Sequence, residues 1–218
     1  APVSRVSGRQ LADKSRKEVS SGHSIPYYRG RPKSINKVIR QASQFIKENM
    51  EWVVDIDLAN FFDRINHDRL MQRLSKGVGD KKLLQLIRAY LEAGVMEGGL
   101  TEQRVAGTPQ GGPLSPLLSN IVLDELDKEL ERRGHSFCRY ADDCNIYVRS
   151  KKAVELVMKS IISFIVNKLK LKVNYYTKSG VRHCSELQLL GYTLLPGDNI
   201  RVADKSENRL KDKVRVGM

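Results

Sequence analysis

The chain has 218 residues, 40% of them hydrophobic, enough for one sizeable core and too many for a disordered polymer. No apolar run reaches the ~20 residues that a membrane span needs, and no charged start precedes an apolar stretch as in a secretory signal. The three cysteines, Cys138, Cys144 and Cys184, are too few and too oddly placed for a disulfide framework, which points to a reducing compartment.

The net charge of +13 suggests a polyanionic partner. Residues 1–50 carry eleven Lys/Arg against three Asp/Glu, and residues 151–218 carry fourteen against six. Residues 51–150 invert this, with thirteen against sixteen. Basic flanks able to hold nucleic-acid phosphates thus bracket an acidic centre able to hold cations.

In chain order, residues 1–33 are polar, basic and aperiodic, and read as a loop or arm broken at Ser20-Ser21-Gly22 and Gly30-Arg31-Pro32. Ser34 then caps a helix with Ile35, Val38, Ile39, Ala42, Phe45 and Ile46 on one face. A strand is expected at 52–57 and helices at 67–75 and 80–93, the latter capped by Asp80 and stopped by Gly94. Residues 95–106 read as a hairpin turning at Glu97-Gly98-Gly99. The Gly/Pro-rich loop from Thr108 to Pro116 feeds a helix to Arg133, ended by Gly134. A second hairpin, a long amphipathic helix at 151–170 and strands at 172–176, 187–194 and 199–202 follow. The basic stretch from Lys205 to Arg215 starts a further helix. The pattern predicts an α+β fold, an antiparallel sheet with helices packed on one face.

Two stretches carry the chemistry. Val53-Val54-Asp55-Ile56-Asp57-Leu58 reads as a buried strand ending in acids. Tyr140-Ala141-Asp142-Asp143 lies between Phe137-Cys138 and Cys144-Asn145-Ile146-Tyr147-Val148, as the tip of a hairpin. Carboxylates there are costly unless neutralised, and divalent cations clamped by aspartates are how polymerases join nucleotides. Asp57 on the strand, with Asp142 and Asp143 on the hairpin, would meet that need as candidate catalytic acids. Asp55 shares a strand face with Asp57 and is expected to be a supporting or surface acid. His23, His135 and His183 do not combine with the cysteines at zinc-ligand spacing. Arg31, Lys33, Lys37 and Arg40 form a candidate phosphate-contacting edge.

Further blocks agree: Phe61-Phe62-Asp63-Arg64-Ile65-Asn66-His67-Asp68, Gly107-Thr108-Pro109-Gln110-Gly111-Gly112-Pro113-Leu114-Ser115-Pro116, Lys178-Ser179-Gly180-Val181 and Leu190-Gly191-Tyr192. With the two acidic stretches, in this order and spacing, the chain resembles the reverse transcriptase of bacterial group II introns, over residues 34 to 215. The resemblance implies the right-hand palm of a polymerase. It implies residues 1–33 as a basic arm or partial fingers, 34–203 as fingers and palm, and 204–218 as a basic segment leading to a missing thumb. Tyr28-Arg29-Gly30-Arg31-Pro32-Lys33-Ser34 departs from the family's Phe-Arg-Pro-x-Arg-Ser, so the fingers are expected to be incomplete, in a chain trimmed or naturally reduced.

The resemblance also assigns roles. The spacing to Phe62 and Asp63 makes Asp57, not Asp55, the strand's metal ligand, so that two Mg²⁺ ions, with Mn²⁺ a substitute, would be held by Asp57, Asp142 and Asp143, with Ile56 in the same metal set. Phe62 would lie beneath the incoming sugar and exclude a ribose 2′-hydroxyl. Gln110 and Gly111 would contact the nucleotide or template base, Lys178 the leaving pyrophosphate, and Tyr140 the primer end. His67 is expected to cap or brace a helix without a catalytic role. The implied partners are an RNA template or intron RNA, a DNA or RNA primer and deoxynucleotides, in a bacterial cytoplasm, with no membrane. The implied function is RNA-directed DNA polymerisation. The alternative is a non-catalytic palm retained as a maturase that helps intron RNA fold. A third reading, another metal-dependent phosphotransferase such as a cyclase, lacks support from the Gln110-Gly111 block.

Overall fold

The structure, a computed structural model, describes residues 34–93, 95–97, 100–102, 106–108, 114–174, 179–196 and 199–216. Arg31, Lys33, Gln110, Gly111 and Lys178 lie outside the described residues, as does most of the Gly/Pro-rich loop.

Helix α1 (Ile35–Lys47) buries Val38, Ile39, Ala42 and Ile46, the face expected from its periodicity. Ser34 precedes it in extended backbone, but its side chain makes no cap hydrogen bond. Strand β1 (Trp52–Ile56) follows, then a single 3₁₀ turn at Phe61–Asp63. Helices α2 (His67–Gly77) and α3 (Lys81–Glu92) come next. The Asp80 carboxylate caps α3 by accepting from the Lys82 and Leu83 amides. Strands β2 (Val95–Glu97) and β3 (Leu100–Glu102) form the expected small hairpin.

Helix α4 runs Ser115–Arg132, and Gly134 follows it at φ +72, the left-handed stop that glycine takes without strain. Strands β4 (Ser136–Tyr140) and β5 (Asp143–Val148) make the acidic hairpin. Helix α5 (Lys151–Phe164) continues through a π-helical stretch at Ile165–Leu169. Then come β6 (Gly180–His183), a 3₁₀ turn at Cys184–Glu186, β7 (Gln188–Leu189), β8 (Tyr192–Leu195), β9 (Asn199–Val202) and α6 (Asp204–Val216).

The main sheet has the order β4-β5-β1-β6, all antiparallel. β6 was not expected as a strand. Gly180-Val181-Arg182-His183 has no apolar alternation and begins with glycine, yet pairs with β1 along its length. The apolar run 187–194, expected as one strand, is folded back on itself. Leu190 and Gly191, at φ +50 and +88, form a two-residue turn between β7 and β8. Of the strand expected at 172–176, the described part contributes a single bridge, Val173 to Leu58.

Period-two alternation divides the core. Val54, Ile56, Cys144 and Ile146 point to one face and pack with α4 and α5 through Leu123, Leu126, Leu130, Val154 and Ile161. Val53, Cys138 and Tyr147 point to the other, against α1 and the small β7-β8-β9 sheet through Val38, Ala42, Leu187, Leu189 and Leu194. The helices expected on one face are there, α4 and α5 among them, and α1 adds a layer on the other.

Glu129, near the end of α4, accepts from Arg132 and Arg133 at 2.7–2.8 Å. The Arg132 hydrogen bonds, then those of Arg133, hold its carboxyl at about 2 against an ordinary 4.5. The folded state favours the ionised form, so this contribution is complete above pH 4.5 and is lost as pH falls towards 2. Urea unfolding of Glu129→Gln across that range should show a shallower loss of stability with acid than the parent. Parallel curves would contradict the pairing.

Candidate active site

The acidic hairpin is built by register. Tyr140 pairs with Asp143 across β4 and β5, leaving Ala141-Asp142 as the turn, with Ala141 at φ +55. On the other side of β5, Ile56 faces Cys144 and Asp55 faces Asn145. Continued one step past its last pair, this register sets Asp57 opposite Asp143, and both line one cleft. Two apolar strands therefore deliver carboxylates to the same sheet end, on the face opposite the α4–α5 core.

Asp55, Asp57 and Asp143 line one cleft of about 460 Å³ together with Asn145 and Arg182. Gln188, Leu190 and Lys205 come from the β7–β8 region and α6 to line it as well. Asp143 is exposed, Asp57 half-buried, and Asp142 half-buried in the turn outside the cleft lining. Cations thus share the cleft with the acids, an arrangement suited to a phosphate chain bridged by metal.

Each acid has its own fixing contacts. The Asp57 amide donates to Ser179 Oγ at 2.9 Å, its carbonyl accepts from the Asn174 amide at 3.0 Å, and its carboxylate accepts from the Asn174 side chain. The Ser179 amide donates to the Asn174 carbonyl at 2.8 Å, so the two residues that hold Asp57 are also tied to each other. Asp55 accepts from buried Asn145 at 3.0 Å and from Arg182 Nε at 3.3 Å. Burial nevertheless raises its pKa, with Arg182 and Asn145 opposing and the neighbouring Asp57 charge adding. Asn174, Ser179, Asn145 and Arg182 were not singled out in the sequence: Asn145 is one polar residue inside the apolar run 144–148, and the other three stand in no acidic or apolar pattern. The Lys178-Ser179 block was the one available signal.

Among the described residues, no three Asp, Glu, His or Cys side chains already stand grouped as a metal cage. Magnesium takes one or two carboxylates and completes its shell with water and substrate phosphates, so an open pair of aspartates fits that ion. The cysteines do not compete: burial pushes Cys184 to about 11, Cys138 to about 12 and Cys144 higher still.

Phe61 and Phe62 divide their roles by burial. Phe61 is buried at 2% exposure, while Phe62 is half-buried, edge-on to Phe61 at 5.3 Å. The turn that carries them is clamped from outside. The Gly107 amide donates to the Ile65 carbonyl at 2.8 Å and the Thr108 amide to the Phe62 carbonyl at 2.7 Å. Buried His67 donates Nε2–H to the Gly107 carbonyl at 2.7 Å. His67 therefore braces the Gly107 backbone, as well as starting α2, whose cap is Asn66. Gly107 has φ +90, and a Cβ there would stand 2.8 Å from Asp63 Cα and 2.9 Å from the Phe62 carbonyl oxygen. Gly107→Ala should push the Phe62 turn aside and lower stability by about 1–3 kcal/mol, measured by thermal unfolding. An unchanged melting temperature would mean that the clamp yields without cost.

Tyr140 is exposed at 38% rather than buried in the strand. Lys37 and Arg40 are exposed on α1. No helix among the described residues is long and apolar enough to cross a membrane.

The family model described as reverse transcriptase (RNA-dependent DNA polymerase) matches residues 9–194. Protein YkfC of Escherichia coli K12 is 28% identical over 215 residues, covering 81% of this chain and 56% of its own length. The group II intron-encoded protein LtrA of Lactococcus lactis subsp. cremoris is 46% identical over 77 residues, 35% of this chain and 13% of LtrA. The chain thus spans little more than half of YkfC and far less of LtrA. Apo telomerase of Candida tropicalis, truncated from its C-terminal domain, superposes with a TM-score of 0.63 at 14% identity. That match covers 89% of this chain and 44% of the telomerase, and shows a shared fold. Reverse transcriptases use divalent metal ions, in keeping with the acid-lined cleft. The chain belongs to the reverse transcriptase family and is similar to its group II intron-encoded members.

Proposed function

We propose that this chain extends a primer 3′-hydroxyl with deoxynucleotides on an RNA template, using Asp57, Asp142 and Asp143 as its metal-holding acids. The observation that carries the reading is the register that sets Asp57 beside Asp143 at the open end of two antiparallel strands, inside one cleft. Bound divalent ions supply charge neutralisation at the primer hydroxyl and the leaving pyrophosphate.

The protein supplies position. Asn174 and Ser179 hold Asp57 at the strand end, and the Tyr140–Asp143 pair fixes the hairpin tip. Phe62, presented by its clamped turn, limits the space at the sugar. Exposed Tyr140 is proposed for the primer end, and Lys37 and Arg40, exposed on α1, for template phosphates. Gln110, Gly111 and Lys178 are proposed for the nucleotide base and the pyrophosphate, and Arg31 and Lys33 for phosphates further along the RNA. The partners on this reading are an RNA template, a primer strand and deoxynucleoside triphosphates.

Primer extension on an RNA template with Mg²⁺ tests it. Template-dependent incorporation, absent without the metal, is expected. Salt-sensitive RNA binding without any incorporation would instead support the non-catalytic maturase reading.

A further inference from the structure

One buried ion pair takes no part in the site as described. Arg139 on β4 and Asp127 on α4 are 2% and 3% exposed. They meet side-on, Nε donating to Oδ1 and Nη2 to Oδ2, both at 2.6 Å. The remaining nitrogen, Nη1, donates to Asn120 Oδ1 at 3.3 Å and to the Ala141 carbonyl at 2.5 Å. Asn120 and Asp127 are two helical turns apart on one face of α4, so the helix presents a rigid cradle to the guanidinium.

The Ala141 carbonyl belongs to the peptide that joins Ala141 to Asp142. Ala141 sits at φ +55, a left-handed conformation that a non-glycine residue adopts only where its surroundings hold it. The two-residue hairpin turn requires a positive φ there, and the guanidinium hydrogen-bonds the peptide that results. A buried ion pair by itself gives little net stability over an apolar pair of similar volume, because both charges must leave water. What an apolar pair, or a lysine with its single ammonium, cannot supply is this forked contact to helix and turn together.

We propose that the Arg139–Asp127 pair is a positioning device for the acidic turn, fixing the Ala141–Asp142 peptide so that the Asp142 carboxylate is presented for metal. The proposal rests on the reading of Asp142 as a metal-holding acid. Arg139 acts through Asp142 and touches no reacting atom.

Two variants test it. Arg139→Met with Asp127→Leu removes both charges together, and Arg139→Lys keeps a cation for Asp127 but loses the fork. The double variant should melt at or above the parent temperature. Amide order parameters at Ala141 and Asp142 should fall from about 0.85 towards about 0.6 in both variants. Affinity for Mn²⁺ alone, by titration, should weaken about tenfold or more. The extension rate constant should drop by about 100-fold with little change in KM for the nucleotide.

If either folded variant keeps the parent's order parameters and Mn²⁺ affinity, the pair is only structural and the proposal is overturned. Should the double variant fail to fold, Arg139→Lys decides alone by the same readings. If the parent binds Mn²⁺ with a rigid turn but extends no primer, the polymerase reading fails, while the order parameters and Mn²⁺ affinities still judge the positioning role.

Discussion

Replacing Asp142 and Asp143 together by asparagine should abolish primer extension, by about 10³-fold or more, while leaving RNA affinity intact or slightly raised. The loss follows from the chemistry. Phosphoryl transfer asks the protein for metal placement worth several kcal/mol, and each 1.36 kcal/mol is about tenfold in rate. Asparagine keeps the size and a carbonyl oxygen but removes the charge that holds a hard cation. Asp143 is exposed and Asp142 half-buried in the turn, so the change falls outside the packed core and the fold should persist. RNA affinity should survive because its sources lie elsewhere. Lys37 and Arg40 are exposed on α1, and α6 carries Lys205, Arg209 and Lys211. Such contacts act through counterion release and weaken linearly on a log–log salt plot. Removing two negative charges from the same surface leaves that slope unchanged. A parallel fall in binding and extension would contradict the separation of an acidic centre from basic flanks.

Phe62→Ala should change which sugar is used. The ring is half-buried on a 3₁₀ turn five residues after Asp57, and its carbonyl is tied by the Thr108 amide to the Gly107-Thr108 segment. A phenyl group placed beside the nucleotide sugar leaves no room for a 2′-hydroxyl, and discrimination comes from that clash rather than from an attraction. Truncation should raise ribonucleotide incorporation relative to deoxynucleotide, with a smaller loss of deoxynucleotide use. A core role predicts something different: loss of a buried ring costs ~3–5 kcal/mol and depresses all activity alike. The structure already divides the pair, since Phe61 is the fully buried ring and Phe62 reaches the surface. Competition between the two nucleotide types, with melting temperature measured alongside, distinguishes the outcomes. An unchanged sugar ratio with a large drop in melting temperature would return Phe62 to the core.

Local pattern explains what was legible beforehand. Helix α1 announced itself through 3.6-residue periodicity, α3 through the Asp80 cap, and the acidic hairpin through carboxylates stranded at the ends of apolar runs. Those signals are written in neighbouring residues. The contacts that fix the site are not. Asn174 and Ser179 reach Asp57 across more than a hundred residues, and Asn145 meets Asp55 only because β5 pairs with β1 in one register. β6 is polar and begins with glycine, so its place beside β1 follows from tertiary pairing rather than propensity. The run 187–194 looked continuous because leucines filled it. The reversal at Leu190-Gly191 depends on two positive φ angles, of which only the glycine gave a hint. Arg139 was hidden for a similar reason: a charged residue inside an apolar strand discloses nothing until its partner on α4 is seen.

The central claim is that the cleft between Asp57 and the acidic turn is where metal and nucleotide meet. Crystals of the chain with an RNA–DNA primer-template, a deoxynucleoside triphosphate and Mn²⁺ test this most directly, through the anomalous signal of manganese. The expected result is a peak in contact with the Asp57 carboxylate and an acid of the Asp142-Asp143 turn, with the triphosphate against it. A bound nucleotide whose manganese lies away from Asp57 would contradict the claim.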